Sequence, residues 1–162
     1  MWPAPISATV NLTTDVPREY VWRAFESAPR WPEVLKDVEE AAIEPDGRLI
    51  AGAVMRSRAV PGTMAVDMAY HVLTAEPPEH LCTRSRAAGF TAEADYHFAE
   101  AANGGTELSL AARVIAEKFA MRVYIATQRG KHTTMIEASL RRRIEAMLTL
   151  GEKLWKETSG RT

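Results

Sequence analysis

The C-terminal segment sets a demand that the remainder of the chain must meet. Between Lys131 and Glu157, the residues Ile136, Leu140, Ile144, Met147, Leu148, Leu154 and Trp155 fall on one helical stripe. Glu137/Arg141, Arg141/Glu145 and Glu152/Lys156 stand four apart on the wet side. Such a helix is about 40 Å long at ~1.5 Å per residue, so it needs an equally long apolar surface to lie on. From Glu40 to Ala116 the hydrophobic period is two, and that stretch supplies the surface.

Turn chemistries punctuate it: EPDG, VPG, EPPEH, AAG and ANGG. They divide it into strands expected near 40–45, 49–59, 63–75, 80–87, 90–101 and 105–116. A further strand precedes them over Ile6–Thr14, where Ile6, Ala8, Val10 and Leu12 alternate with polar residues. Asp15 is a candidate N-cap for the helix that follows, with Pro17 in its first turn and Tyr20, Val21, Ala24 and Phe25 on its apolar side. Pro29 ends that helix near Ala28, because the residue before a proline is pushed out of the α region. Pro32 permits a second short helix over PEVLKDV, with Val34, Leu35 and Val38 inward.

Composition narrows what such a chain does. With 162 residues, 46% hydrophobic and 25% charged, it suits one domain over 1–162, with a core from about 6 to 157. A formal net charge of -1 offers no basic field to a phosphate backbone, which argues against nucleic acid as a partner. The single cysteine, Cys82, rules out an internal disulfide and a multi-cysteine metal site, and a reducing, cytoplasmic setting is the simpler reading. No stretch approaches the roughly 18 apolar residues that span a bilayer, so stable membrane insertion is not expected.

The order strand, two short helices, six strands, long helix, together with VPREYVWRAFESAPRWPEV, EPDGRLIAG, TAEPPEHL and GGTELSL, resembles the START-like or polyketide-cyclase superfamily (SRPBCC). The resemblance implies an α+β helix-grip fold: a seven-stranded curved antiparallel sheet wrapped around the long C-terminal helix, with the two short helices closing one end. It also implies a cavity between sheet and helix that binds or transports a small hydrophobic molecule, lipid-, polyketide- or quinone-like. The alternative is a polyketide aromatase/cyclase that templates proton transfer. A third class is a carrier that hands such cargo to a membrane enzyme. No cofactor is expected, and a homodimer is left open.

Strand parity gives a separate view of the inner face. Met64, Met68 and Tyr70 share a parity with Val66 and Val72; Phe90, Ala94 and Tyr96 share one with Ala92 and Phe98; Leu110 shares one with Leu108, Ala112 and Val114. The alanines either leave volume unfilled or admit larger side chains from the helix, such as Leu140. Tyr70 and Tyr96 are the candidate catalytic or orienting hydroxyls, with Thr83 and Ser85 as sparse polar points. Arg56 anchors an acidic or phenolic ligand if the Val54, Arg56, Arg58 parity faces inward; otherwise it is a solvated outer arginine. Phe119, Met121, Val123, Tyr124 and Ile125 precede a natural break at Gly130 and form either a flap over the cavity mouth or a packed connector.

No metal site is expected. His71 and His97, with Asp95 nearby, read as solvated outer-face residues, as do Arg84 and Arg86; His80 and His132 carry no assigned role. Arg141–Arg143 reads as a wet helix face. Cys82 lacks an activating partner and is a poor nucleophile.

Overall fold

The computed structural model describes residues 5–60, 62–87 and 89–160; Pro61, Ala88, the first four residues and the last two lie outside that range. The elements are β1 (Ile6–Thr14), α1 (Arg18–Glu26), a 3-10 helix (Ala28–Glu33), β2 (Val38–Glu44), β3 (Val54–Ala59), β4 (Val66–Glu76), β5 (His80–Ala87), β6 (Phe90–Glu100), β7 (Thr106–Ala116) and α2 (Phe119–Ser159). The strands form one antiparallel sheet in the order β1-β7-β6-β5-β4-β3-β2. This is the helix-grip architecture: one curved sheet, a long C-terminal helix, and short helices between the first two strands.

That order puts β1 and β2 on opposite edges, so the connection between them must cross the whole sheet. The two prolines serve this crossing. Pro29 and Pro32 both lie in the 3-10 helix, which begins at Ala28 and ends at Glu33. The expected second helix over 32–38 is therefore displaced. Trp31 is buried, and its indole N–H donates to the carbonyl of Ala24 at 3.0 Å, which folds the segment back on α1. A turn over residues 34–37 follows, and Val38 already belongs to β2. Asp15 does not cap α1. Pro17 occupies the cap position, and Asp15 accepts a hydrogen bond from Asn103 Nδ2 at 2.9 Å.

Strand bounds differ mainly where a turn begins late. Residues 49–53 precede β3 as coil and turn, and 62–65 precede β4. Within β4 the register shifts between Val72 and Thr74, leaving Leu73 as the unpaired residue of a bulge and exposing it. The bulge switches parity, so Tyr70 and Val72 face inward before it and Ala75 after it. The core lies between this face, α1 and the second half of α2, with Val10, Leu81, Phe98, Leu108, Leu110 and Leu150 among its fully buried residues. Phe98 meets Trp22 and Phe25 edge to face at 5.6 and 5.4 Å.

The final helix is two helical runs that meet at a kink at Gln128, whose dihedrals are non-helical, two residues before the break expected at Gly130. Phe119, Val123 and Tyr124 lie in its first turns and are exposed; the side chain of Ile125 lies outside those described. Ile144, Met147 and Leu150 are buried, and at Gly151 the helix comes so close to α1 that an added Cβ would lie 3.3 Å from the Tyr20 carbonyl oxygen. Ion pairs pin its last turns: Arg30 bonds Glu157 at 2.8 Å and Glu33 at 2.7 Å, and Lys153 bonds Glu33 at 2.7 Å.

Two expected outcomes follow from these contacts. Gly105 sits in the β6–β7 turn, where an added Cβ would lie 2.1 Å from the Thr14 carbonyl oxygen. Gly105→Ala should therefore destabilise by about 2–4 kcal/mol in a denaturant titration, because the β1 end must move to admit it. Hydrogen bonds from Arg30 and then Lys153 lower the Glu33 carboxyl from 4.5 to about 2. A carboxylate lowered on folding stabilises above its unfolded value and loses that contribution as pH falls through its folded one. Melting temperature should accordingly fall between pH ~4.5 and ~2 with a component that Glu33→Gln removes.

Candidate functional site

Below the middle of α2 the sheet and helix do not close completely. A cavity of about 50 Å³ is left there. Its sheet wall is Met55, Tyr70, Leu81, Thr83, Tyr96 and Leu110, one or two inward residues from each of β3 to β7. Phe25, Trp31 and Leu35 close it from the crossover, and Leu140, Arg143, Ile144 and Met147 form its roof. Tyr70, Arg143 and Leu35 also line a larger cleft of about 570 Å³, bounded by Lys36, Asp37, Ser57, Met68, Ser139 and Ala146 among others. The cavity thus meets the cleft at Tyr70 and Arg143.

Arg143 is the residue that sequence reasoning missed. Its guanidinium donates to the Tyr70 hydroxyl at 3.0 Å and lies 5.4 Å from the centre of that ring. The side chain is open to solvent through the cleft, while protein crowds it on the cavity side. Burial works against its charge, but the neighbouring Tyr70 and Tyr96 phenols outweigh that, and its pKa is raised. Among the described residues it makes no ion pair. Tyr96 Oη likewise has no hydrogen-bond partner among them, and its ring packs edge to face on Phe25 at 5.2 Å. Burial pushes the Tyr96 pKa up against the opposing pull of Arg143, so this phenol keeps its proton.

The signal for Arg143 was present in the spacing. Ile136, Leu140, Arg143, Met147 and Leu150 follow intervals of four, three, four and three, which places Arg143 on the apolar stripe rather than on the wet face. A reading of Arg141–Arg143 as one run hid it, since neighbours on a helix point about 100° apart.

Of the residues singled out from sequence, Tyr70, Thr83, Tyr96, Leu110 and Leu140 come together in the cavity wall, and Met68 lines the cleft. Ala94 is half-buried in a cross-strand row with Thr83 and Ala112, packed against the core. The others lie elsewhere. Arg56 faces outward and pairs with Glu44 at 2.7 Å, because Met55 and Ser57 take the inner face of β3. Met64 is 75% exposed in the loop before β4, where the strand alternation has not yet begun. Phe90 opens β6 opposite Ala116 and does not line the cavity. Phe119 is 70% exposed at the start of α2 and does not line the cavity.

The outer face carries the histidines. His71 lies opposite Val54 and Arg84, whereas His97 lies opposite His80 on β5. Arg84 binds Glu93 at 2.9 Å. Burial and then the charges of Asp95 and Glu93 push the Cys82 thiol up, which favours the less reactive protonated form.

No family model matches the sequence, and no curated protein matches it. Solved structures do match in fold. The di-domain ARO/CYC BexL from the BE-7585A biosynthetic pathway superposes with a TM-score of 0.74 at 16% identity, over 92% of this chain and 50% of that one. A Thalictrum norcoclaurine synthase point mutant, bound to a transition-state analogue, gives 0.66 at 13% identity over 93% and 98%. Ara h 8.0201 gives 0.61 at 12% identity over 88% and 97%. The chain spans about half the length of the di-domain protein and nearly all of the other two. None of the described helices is long and apolar enough to cross a membrane. At these identities the likeness is one of fold, and the fold shared by this chain and these structures is the helix grip.

Proposed function

We propose that this protein binds a small hydrophobic molecule bearing a carbonyl, phenol or carboxylate oxygen, held in the cleft with that oxygen at Arg143 and Tyr70. One observation carries the reading: a guanidinium without an ion pair among the described residues stands at the neck between an apolar cavity and a cleft of about 570 Å³. That volume falls within the ~300–1,000 Å³ of small-molecule sites. Arg143 spends one of its five donors on Tyr70, and the others can meet a ligand oxygen in fixed directions. Tyr96 adds a neutral donor deeper in the cavity. The chain as a whole, residues 1–162, acts as one ligand-binding domain.

Cyclase chemistry is the second reading. Its support is the likeness to the ARO/CYC structure and the same two groups, since Arg143 and a protonated Tyr96 could stabilise an enolate oxygen as it forms. Against it stands the lack of a base beside the two groups. Among the described residues the cavity lining holds no carboxylate or imidazole, Asp37 on the cleft wall forms no hydrogen bond or ion pair with Arg143 or Tyr70, and a phenol pushed upward in pKa takes a carbon-bound proton poorly. Binding or transport without conversion is therefore the preferred reading.

Equilibrium binding of two sets of polycyclic probes, oxygenated and pure hydrocarbon, tests this. Arg143→Met should weaken the oxygenated set by about tenfold or more, the ~1.5–3 kcal/mol of a charged hydrogen bond, and leave the hydrocarbons within about twofold. Ala146→Trp, at the cleft wall, should abolish binding of both sets with the fold intact. Equal loss of both sets in Arg143→Met would sink the polar anchor. Single-turnover product formation from polyketide mimics, lost in Tyr96→Phe, would replace the carrier reading with the cyclase one.

A further inference from the structure

On the outer face of the sheet, behind the cavity, three side chains converge. His80 and His97 are directly opposite each other on β5 and β6, and their rings stack with centroids 4.5 Å apart and planes 11° from parallel. Asp95 lies two residues before His97 on the same face, and both imidazoles turn Nε2 toward its carboxylate. His80 Nε2 bonds Oδ1, and His97 Nε2 bonds Oδ2 at 3.2 Å. The candidate ligand atoms of the three residues all lie within 4.8 Å of one another. On the far side of the His80 ring, Nδ1 meets Glu76 Oε1 at 3.1 Å.

We propose that His80, Asp95 and His97 form a binding site for a divalent transition-metal ion, zinc being the one it fits. Two imidazole nitrogens and one carboxylate oxygen are a borderline-soft donor set, suited to Zn²⁺ and the neighbouring late first-row ions and poorly suited to Mg²⁺ or Ca²⁺. Ligands of a tetrahedral zinc, at ~2.0–2.2 Å from it, stand about 3.4 Å apart, so the three groups need only a small rotamer adjustment to close on one ion. A fourth position stays open to water. Glu76 supplies the outer support such sites use: it accepts the Nδ1 proton of His80, which orients the ring and leaves Nε2 for the metal.

The strand backbone makes the site firm. Three of its four residues are anchored in the paired ladder of β5 and β6, and Glu76 ends β4 one hairpin turn before His80, in register with it. The same backbone carries the cavity: Leu81 and Tyr96, the register pair next to His80 and His97, point to the opposite face and line its wall. An ion here joins β5 to β6 directly behind Tyr96.

Isothermal titration of chelator-treated protein with zinc chloride tests the site. Expected is one ion per chain at micromolar affinity or tighter, with cobalt giving the visible absorption of a low-symmetry site in the unmodified protein. His80→Gln, His97→Gln and Asp95→Asn should each weaken binding by about tenfold or more, and Glu76→Gln by about tenfold. His71→Gln, on the same face but outside the cluster, should leave it unchanged. Circular dichroism confirms that each variant is folded; the cobalt spectrum reads the site without any substitution. No saturable uptake at millimolar zinc, or stoichiometric binding that survives His80→Gln/His97→Gln, would overturn the assignment.

Discussion

Everything in this molecule depends on how the second half of α2 is seated. Ile144, Met147 and Leu150 bury one side against the sheet and α1, each contributing about 1.5–3 kcal/mol of apolar transfer. Gly151 removes the one side chain that would hold the two helices apart. The seat reaches only as far as the apolar surface does. Upstream of it the same helix carries exposed Met135, Tyr124 and Phe119, so the cavity opens where covering runs out. Arg143 stands one helical turn before Met147, at that boundary, which is why a charged residue can occupy a position on the apolar stripe.

The fold was largely legible because its signals are periodic and redundant. A strand that alternates over nine residues, as Ile6–Thr14 does, states both its type and its buried face. What escaped were places where a single tertiary contact decides. Whether the segment after Pro29 continues as helix depends on the Trp31 indole reaching the Ala24 carbonyl, seven residues back, and no local pattern encodes that bond. The beginning of β4 was misplaced for a related reason: Met64 has the right parity, but the sheet has not started there.

The site was legible in part, and the division is physical. Tyr70, Tyr96, Thr83 and Leu110 were found because a strand residue's face follows from its neighbours. Arg56 was left open because β3 does not alternate in hydrophobicity. Its face is settled by acids on the adjoining strand, Glu44 for Arg56 and Glu39 for Arg58, and that pairing needs the register. The stacking of His80 on His97 was hidden for the same reason. Which residue stands opposite His97 depends on where the hairpin turns, and counting along the chain cannot supply it.

The volumes point to where recognition takes place. About 50 Å³ behind Arg143 accommodates a water or two, whereas the cleft in front of it accommodates a molecule of several rings. A ligand of that size cannot sit wholly beneath the helix without displacing the Arg143–Tyr70 pair, and displacing it would leave a guanidinium half out of water without its only described partner. The pair therefore acts as a polar floor to the cleft. On the binding reading proposed above, apolar bulk would be accepted outside it, and deeper entry would be reserved for a group that can replace the Tyr70 oxygen as acceptor. Selectivity in this protein would then rest on one hydrogen bond at the neck more than on the shape of the cavity behind it.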